Sequence, residues 1–188
     1  SANVHEKEVV DLDYSIKKNI YNLSDYLNKK PEDLTACIMD RPRHNSIIKE
    51  LNNLKVKIKL ITDGDVSGAL LVTDKKYNVD IFLGIGGGPE GVLAASALDA
   101  YECAFQGRFL FVTDEDKIRA KKMGIKNLKK KYELNEIVSG DSIFCATGIN
   151  NGDLLNGIVI KDKNFISETL VTHKSSKLKK IIKMEEKI

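Results

Sequence analysis

The sequence has no tryptophan, and its aromatic residues amount to only 6% of 188 positions. Proteins that bind single-stranded nucleic acids stack the bases on aromatic side chains, so this chain offers few such platforms. Its 30 lysine and arginine residues nearly balance 27 acidic residues, and the formal charge of +3 selects no polyanionic partner. We therefore expect neither a nucleic acid nor a membrane as partner.

Long apolar runs and paired cysteines are missing as well. No stretch approaches the ~18 to 20 residues of a membrane-spanning helix, and the first ten residues lack the basic and apolar segments of a secretory signal. Cys37, Cys103 and Cys145 are odd in number and far apart, without the spacing of a zinc site. We expect reduced cysteines in apolar segments of a cytoplasmic protein.

The overall composition is that of a folded protein, with 42% hydrophobic and 30% charged residues. No internal repeat or linker divides the chain, which predicts a single α/β unit. We expect residues 1–8 to be a disordered or cloning-derived start, residues 9–181 to form the domain, and residues 182–188 to be a tail.

In the first half, stripes of apolar residues alternate with short apolar runs. Ile16, Ile20, Leu23 and Leu27 have helical spacing, and a second such stripe follows Asn45, which is a suitable capping residue. Strands are predicted at 34–39, 56–60 and 79–83, and an alanine-rich helix at 92–100. Strands that alternate with helices are typical of an α/β sheet.

The second half begins with a predicted strand at 109–112, followed by a charged helix that Asp114 would cap. After Gly140, strand-like runs at 143–149, 155–160 and 165–172 are joined by turn residues, which predicts an antiparallel meander. From Lys177 onward we expect a short basic helix or a frayed end. The expected fold is thus a layered α/β fold with a mixed sheet flanked by helices and an antiparallel C-terminal meander.

Three segments that follow predicted strands carry unusual residues, and ligands of open α/β sheets bind beyond the carboxyl ends of strands. The first contains Arg41-Pro42-Arg43. Pro42 restricts the loop, so two guanidinium groups would be held where they could bind an anion such as phosphate. The alternative is a pair of ordinary surface charges. His44 is expected to form hydrogen bonds within the loop and not to act in catalysis.

The second segment is Asp63-Gly64-Asp65, in which two carboxylates flank a glycine. Such a pair could bind a hard cation or accept hydrogen bonds from sugar hydroxyls, although an ordinary solvated turn is the alternative.

The third segment holds five glycines in the eight positions from Gly84 to Gly91, between a strand and a helix. Exposed amide groups before a helix suit an anion. Gly86, Gly88 and Gly91 also satisfy the G-x-G-x-x-G pattern of dinucleotide-binding proteins, with Asp114 as a possible ribose ligand. Glu90 would place negative charge near a pyrophosphate, so phosphate with a metal ion is favoured over a dinucleotide.

Together these motifs resemble the class II type of bacterial fructose-1,6-bisphosphatase over about residues 9–181. The segments that carry the resemblance, in chain order, are Asp40-Arg41-Pro42-Arg43-His44, Asp63-Gly64-Asp65-Val66, Gly84 to Val92, Ala146-Thr147-Gly148-Ile149 and Gly152-Asp153-Leu154-Leu155.

The resemblance implies a metal-dependent phosphatase that converts fructose 1,6-bisphosphate and water to fructose 6-phosphate and phosphate, a gluconeogenic reaction, and in some members acts on sedoheptulose 1,7-bisphosphate. It implies Mn²⁺ or Mg²⁺ as cofactor, with Glu90 as a metal ligand, and we expect a homo-oligomer. The substrate-binding residues it implies are Arg41, Pro42, Arg43, Asp63, Gly64, Asp65 and Gly87, and it leaves the catalytic residues unknown.

The resemblance is to the carboxyl-terminal half of such enzymes, whose other half carries most of the acidic metal ligands. We therefore expect a substrate-binding half that is inactive alone. Two alternatives are a dinucleotide-binding module built on Gly86, Gly88 and Gly91, and a non-catalytic partner of a separate amino-terminal half.

Overall fold

A computed structural model describes residues 8–187 of the chain. The residues described form six helices and nine strands, so the α/β class is confirmed. The helices are α1 (Ile16–Leu27), α2 (Asn45–Asn53), α3 (Asp65–Leu70), α4 (Gly88–Asp99), α5 (Asp114–Lys122) and α6 (Leu134–Ile137). The strands are β1 (Thr35–Met39), β2 (Lys57–Ile61), β3 (Ile81–Phe82), β4 (Gln106–Arg108), β5 (Lys131–Glu133), β6 (Ile143–Thr147), β7 (Val159–Lys161), β8 (Asn164–His173) and β9 (Leu178–Lys187).

A three-stranded parallel sheet in the order β2-β1-β3 occupies the first half. All five residues of β1 are buried, as expected for the central strand of a parallel sheet that is covered on both faces. Ala36 contributes to an apolar cluster with α1 and α2, whereas Cys37, its neighbour, contributes to a second cluster with α3, α4 and the C-terminal strands. Successive side chains of a strand point to opposite faces, so β1 connects both cores.

The antiparallel strands lie in separate sheets, and not in one mixed sheet with the parallel strands. In the larger sheet, β8 pairs with β6 and β7 on one side and with β9 on the other. The predicted antiparallel pairing of the second half is confirmed, but the strand order is not that of a simple meander, because β6 pairs with β8 and not with the next strand, β7. The chain from Leu178 to Lys187, expected as a basic helix or frayed end, instead forms a ten-residue strand along the whole of β8.

Other predicted elements are shifted. Phe109–Val112 was predicted as a strand, but the strand lies just before it, because β4 pairs with β5 through Gln106 to Arg108. Helix α4 begins at Gly88, four residues earlier than predicted, with Pro89 in its first turn, where no backbone N–H is needed. The third strand is only two residues long.

Both predicted helix caps are wrong by one residue. Asn45 is the first residue of α2, which follows a 3-10 turn from Pro42 to His44. Thr113, and not Asp114, caps α5, because its side chain accepts the N–H of Asp116 while the Asp116 side chain accepts that of Thr113.

No helix in the described residues is both long and apolar enough to cross a lipid bilayer. Residues 1–7, which make up most of the predicted disordered start, lie outside the described residues.

Candidate functional site

The three segments singled out in the sequence meet at one edge of the parallel sheet. Strands β1, β2 and β3 run in the same direction, so the segments that follow them leave from a common edge. The β1 segment is 40–44, the β2 segment is 62–65 and the glycine loop runs from Gly84 to Gly88. At this edge, side chains of the first segment contact the other two segments, and a side chain of the second segment contacts the glycine loop.

The two arginines of the first segment point in different directions and join it to the other two. Arg41 donates from Nη2 to the carbonyl of Thr62 at 2.6 Å and from Nη1 to that of Asp40 at 3.0 Å. Arg43 donates from Nε to the carbonyl of Ile85 at 2.5 Å. No hydrogen bond within the described chain involves its two terminal nitrogens, which are available to an anion.

The second segment is a tight turn into α3. Gly64 has a φ of +80°, a left-handed conformation that residues with a Cβ adopt only at a cost. Its N–H donates to the side chain of Asp63 at 2.8 Å, and its carbonyl accepts from the Ser67 hydroxyl at 2.8 Å. The conformation of Gly64 separates the two carboxylates, because Asp63 stays in the turn and Asp65 opens the helix.

The glycine loop lies against two carboxylates. A methyl group added at Gly86 would lie 2.8 Å from Oδ2 of Asp65, and one added at Gly87 would clash with Oε2 of Glu90. Glu90 is in the first turn of α4, where negative charge interacts favourably with the helix dipole. An anion that approached these glycines would be repelled by the two carboxylates. It could bind only if a cation neutralised the carboxylates or if their side chains moved away.

This arrangement does not favour the dinucleotide interpretation. The Asp114 side chain is 89% exposed and forms an ion pair with Lys117 on its own helix, with 2.8 Å between Nζ and Oδ1. The acidic groups beside Gly86 and Gly87 would repel a pyrophosphate in the position that the G-x-G-x-x-G pattern assigns to it.

The described residues do not by themselves make a metal centre. No group of three or more histidine, cysteine or acidic side chains within residues 8–187 is arranged to hold a metal ion. Oxygen-binding cations such as Mg²⁺ and Mn²⁺ are held by several carboxylates and waters, and Glu90 supplies one carboxylate. The predicted role of Glu90 as a metal ligand therefore remains a prediction.

A cleft of about 310 Å³ adjoins the second segment. Asp63 and Thr62 line one part of it, and Gly152 and Asp153, from the loop between β6 and β7, line another. Asp153 forms an ion pair with Lys59 of β2 at 3.0 Å. The Gly152-Asp153 motif, which carried the resemblance without an assigned role, thus lies beside the site.

One further feature of the site was not visible as a motif. The backbone carbonyls of Thr62 and Ile85 fix the two arginines, and no residue type marks a backbone contact in a sequence. His44 was predicted to form hydrogen bonds within its own loop; it is completely buried, with an exposure of 0%, and its ring nitrogens instead contact the backbone of Met39 and Ile85, outside that loop.

The chain matches the family model described as "Bacterial fructose-1,6-bisphosphatase, glpX-encoded" over residues 2–186. It is 34% identical over 190 residues to the D-fructose 1,6-bisphosphatase class 2/sedoheptulose 1,7-bisphosphatase of Synechococcus sp. (strain JA-3-3Ab), covering 94% of this chain and 55% of the relative. It is 36% identical to the fructose-1,6-bisphosphatase class 2 of Haemophilus influenzae, covering 93% and 57%.

The chain therefore spans about half the length of the curated relatives it matches. The family match extends over nearly all of its residues and includes every loop motif on which the resemblance was based. This chain belongs to the family of bacterial, glpX-encoded fructose-1,6-bisphosphatases.

Proposed function

We propose that the carboxyl edge of the parallel sheet binds a sugar bisphosphate, and that this chain is the substrate-binding half of a fructose-1,6-bisphosphatase. The observation that carries the proposal is the contact of all three segments with one another. Arg41 joins the first segment to the second, Arg43 joins it to the glycine loop, and Asp65 lies against Gly86. The substrate class comes from the names of the relatives, which act on fructose 1,6-bisphosphate and sedoheptulose 1,7-bisphosphate.

Each residue type suits a different part of such a ligand. Arg43, on a segment stiffened by Pro42, can donate two hydrogen bonds to a phosphate through its terminal nitrogens. Asp63 and Asp65, separated by Gly64, can accept hydrogen bonds from sugar hydroxyls. The amide of Gly87, at the start of α4, can donate a hydrogen bond to the ligand once the Glu90 side chain has rotated away from it to bind a metal ion.

Hydrolysis of a phosphate ester of this kind commonly requires metal ions that activate water and neutralise the leaving oxygen. Within residues 8–187 no group of three or more candidate ligands is arranged around an ion, and Glu90 is the one metal ligand that the family resemblance implies. We therefore propose that the 188-residue chain binds the sugar bisphosphate but does not hydrolyse it alone. Phosphate release from fructose 1,6-bisphosphate by the purified chain with Mn²⁺ would contradict this part of the proposal.

Binding is tested by isothermal titration calorimetry of fructose 1,6-bisphosphate, with fructose and NAD⁺ as comparison ligands. The bisphosphate should bind and fructose should not. The Arg43→Met variant should bind about tenfold to a hundredfold more weakly, because a hydrogen bond to a charged group contributes about 1.5 to 3 kcal/mol.

Arg119→Met is the matched control, because Arg119 lies on α5 and forms an ion pair with Asp116 on the same helix. Its affinity should equal that of the wild type. Binding of NAD⁺ without binding of the bisphosphate would support the dinucleotide alternative and overturn the proposal.

The predicted homo-oligomer is tested by light scattering coupled to size-exclusion chromatography, which should give a mass that is a multiple of 21.0 kDa; a mass of 21.0 kDa would contradict it. The predicted separate amino-terminal half is tested by a phosphate-release assay on mixed halves. Phosphate release that appears only when the amino-terminal half of a relative is added would support complementation between halves.

A further inference from the structure

His44 has no role in the proposed contacts with the ligand, although it lies between two of the segments that make them. The residue ends the 3-10 turn that follows β1 and is 0% exposed. A buried imidazole carries two polar nitrogens, and leaving either of them without a partner costs free energy. The partners of these nitrogens therefore indicate what the side chain does.

Both nitrogens contact the backbone, and the contacts fix the tautomer of the ring. Nδ1 lies 2.7 Å from the carbonyl oxygen of Met39, the last residue of β1. Nε2 accepts the N–H of Ile85 at 2.8 Å. A carbonyl only accepts and a peptide N–H only donates, so these contacts assign a proton to Nδ1 and a lone pair to Nε2. The Ile85 carbonyl lies farther away, 3.2 Å from Nε2, and a proton on Nε2 would face the Ile85 N–H. The ring thus bridges the end of β1 and the glycine loop.

Both the N–H and the carbonyl of Ile85 form hydrogen bonds with side chains of the first segment. Its N–H donates to His44, and its carbonyl, 3.2 Å from the same Nε2, accepts from Arg43. Within the described chain, Ile85 is the only residue from Gly84 to Gly88 whose backbone forms hydrogen bonds with side chains. Glycines have no side chain that packing could fix, so the position of this loop depends on Ile85.

We propose that His44 is a positioning residue that fixes the glycine loop to the end of β1 through Ile85, and so sets the distance from the loop to Arg43. This inference rests on the proposed function, in which Arg43 and the loop bind the same ligand. The ring contacts no part of that ligand. It acts by keeping two binding elements in a fixed relation, which lowers the entropy lost when the ligand binds.

Two substitutions separate the two hydrogen bonds. In His44→Gln, the amide oxygen can replace Nε2 and accept the N–H of Ile85. In His44→Asn, the amide nitrogen can replace Nδ1 and donate to Met39, but the shorter side chain does not reach Ile85. We expect fructose 1,6-bisphosphate to bind about tenfold more weakly to His44→Asn, and within about threefold of the wild type to His44→Gln.

His173→Asn is the control, because that imidazole, at the end of β8, also makes two polar contacts, to Ser176 and Asp141, away from the candidate site. Its affinity for the bisphosphate should not change. A role in packing alone would give a different pattern, in which both His44 variants lose affinity equally and in proportion to their melting temperatures. That pattern would overturn the inference.

Two measurements without ligand test the same contacts. The ¹⁵N spectrum of the wild-type ring should show a protonated Nδ1 and an unprotonated Nε2, and hydrogen exchange of the Ile85 amide should be faster in His44→Asn than in His44→Gln. A protonated Nε2, or equal exchange in the two variants, would overturn the inference even where the bisphosphate binds. A wild type with a protected Ile85 amide that binds neither fructose 1,6-bisphosphate nor inorganic phosphate would instead overturn the proposed function.

Discussion

At the scale of single residues, the site depends on backbone conformations that few side chains permit. Gly64 allows the chain to turn from β2 into α3 with a φ of +80°. The same turn places Asp63 and Asp65 on two sides of Gly64. The Asp63 side chain accepts the N–H of Gly64, and the Asp65 side chain lies beside Gly86. A substitution at Gly64 therefore affects the site as well as stability.

Gly64→Ala should lower the free energy of unfolding by about 1 to 2 kcal/mol, the cost of a left-handed conformation for a residue with a Cβ. Gly140→Ala should cost a similar amount, because Gly140 has a φ of +82° and open space around it. Only Gly64→Ala should weaken bisphosphate binding, since its Cβ would lie 2.5 Å from the Ser67 hydroxyl and displace the turn. Urea denaturation and calorimetry measure the two effects, and equal affinities would contradict the role of the turn.

The cysteines differ in a way that their sequence context did not indicate. Burial raises the pKa of the Cys37 and Cys103 thiols to about 11, so both stay protonated at neutral pH. Cys145, which was also expected in an apolar segment, lies on the exposed side of β6. An aliphatic neighbourhood in sequence does not show which face of a strand a residue occupies.

In the folded protein at pH 8, a thiol reagent should therefore label Cys145 quickly and the other two cysteines only after unfolding. Mass spectrometry after brief treatment with iodoacetamide should find one modification in the wild type and none in Cys145→Ala. Labelling of Cys37 at the same rate as Cys145 would show that β1 opens in the native state.

At the scale of elements, the loop between β6 and β7 is fixed to β8 by one carboxylate. Glu168 accepts hydrogen bonds from the backbone N–H and the side-chain amide of Asn156, both at 2.9 Å. These bonds, the side-chain one first, hold the pKa of Glu168 below its usual 4.5. The same loop brings Asp153 to the cleft beside Asp63.

A lowered pKa means that the folded state binds a proton less readily than the unfolded state. The contribution of Glu168 to stability is therefore complete above pH 4.5 and is lost as the pH falls through the folded pKa. Glu168→Gln should melt below the wild type near neutral pH, and the difference should shrink as the pH falls below 4.5. A difference in melting temperature that is independent of pH would contradict this prediction.

The strand pairings show which elements local sequence could predict. The apolar stripe of α1 and the buried run of β1 are local patterns, and both elements lie within a residue or three of their predicted bounds. Phe109–Val112 has a stronger apolar pattern than β4, but β5 pairs with the residues before it. Whether a segment with high β propensity becomes a strand depends on a partner strand distant in sequence. The apolar pattern alone therefore did not predict which residues form β4.

At the scale of the whole molecule, two apolar clusters share the strand β1. Leu23 of α1 belongs to the first cluster and Leu98 of α4 to the second, and both are at least 97% buried. Because β1 has one face in each cluster, neither cluster can open without exposing the strand. We therefore expect the described part of the chain to unfold as one cooperative unit.

Leu23→Ala and Leu98→Ala should each cost about 2 to 5 kcal/mol, the usual range for a large cavity in a core. Both variants should shift the same single unfolding transition in urea. The transition is monitored by circular dichroism and by tyrosine fluorescence, because the chain has no tryptophan. Two transitions, each shifted by only one of the variants, would show that the clusters unfold independently.

Local sequence patterns were sufficient to predict the α/β class, the alternation of strands and helices in the first half, the antiparallel strands of the second half and the three segments of the candidate site. These follow from local features: apolar periodicity, glycines, and charged residues placed after strands. Three further features became visible in the folded chain alone: Leu178–Lys187 is a strand, Asp65 and Glu90 lie against the glycine loop, and His44 bridges β1 and Ile85. Those features are contacts between residues far apart in the chain, and their energies depend on the folded backbone, which no local pattern encodes.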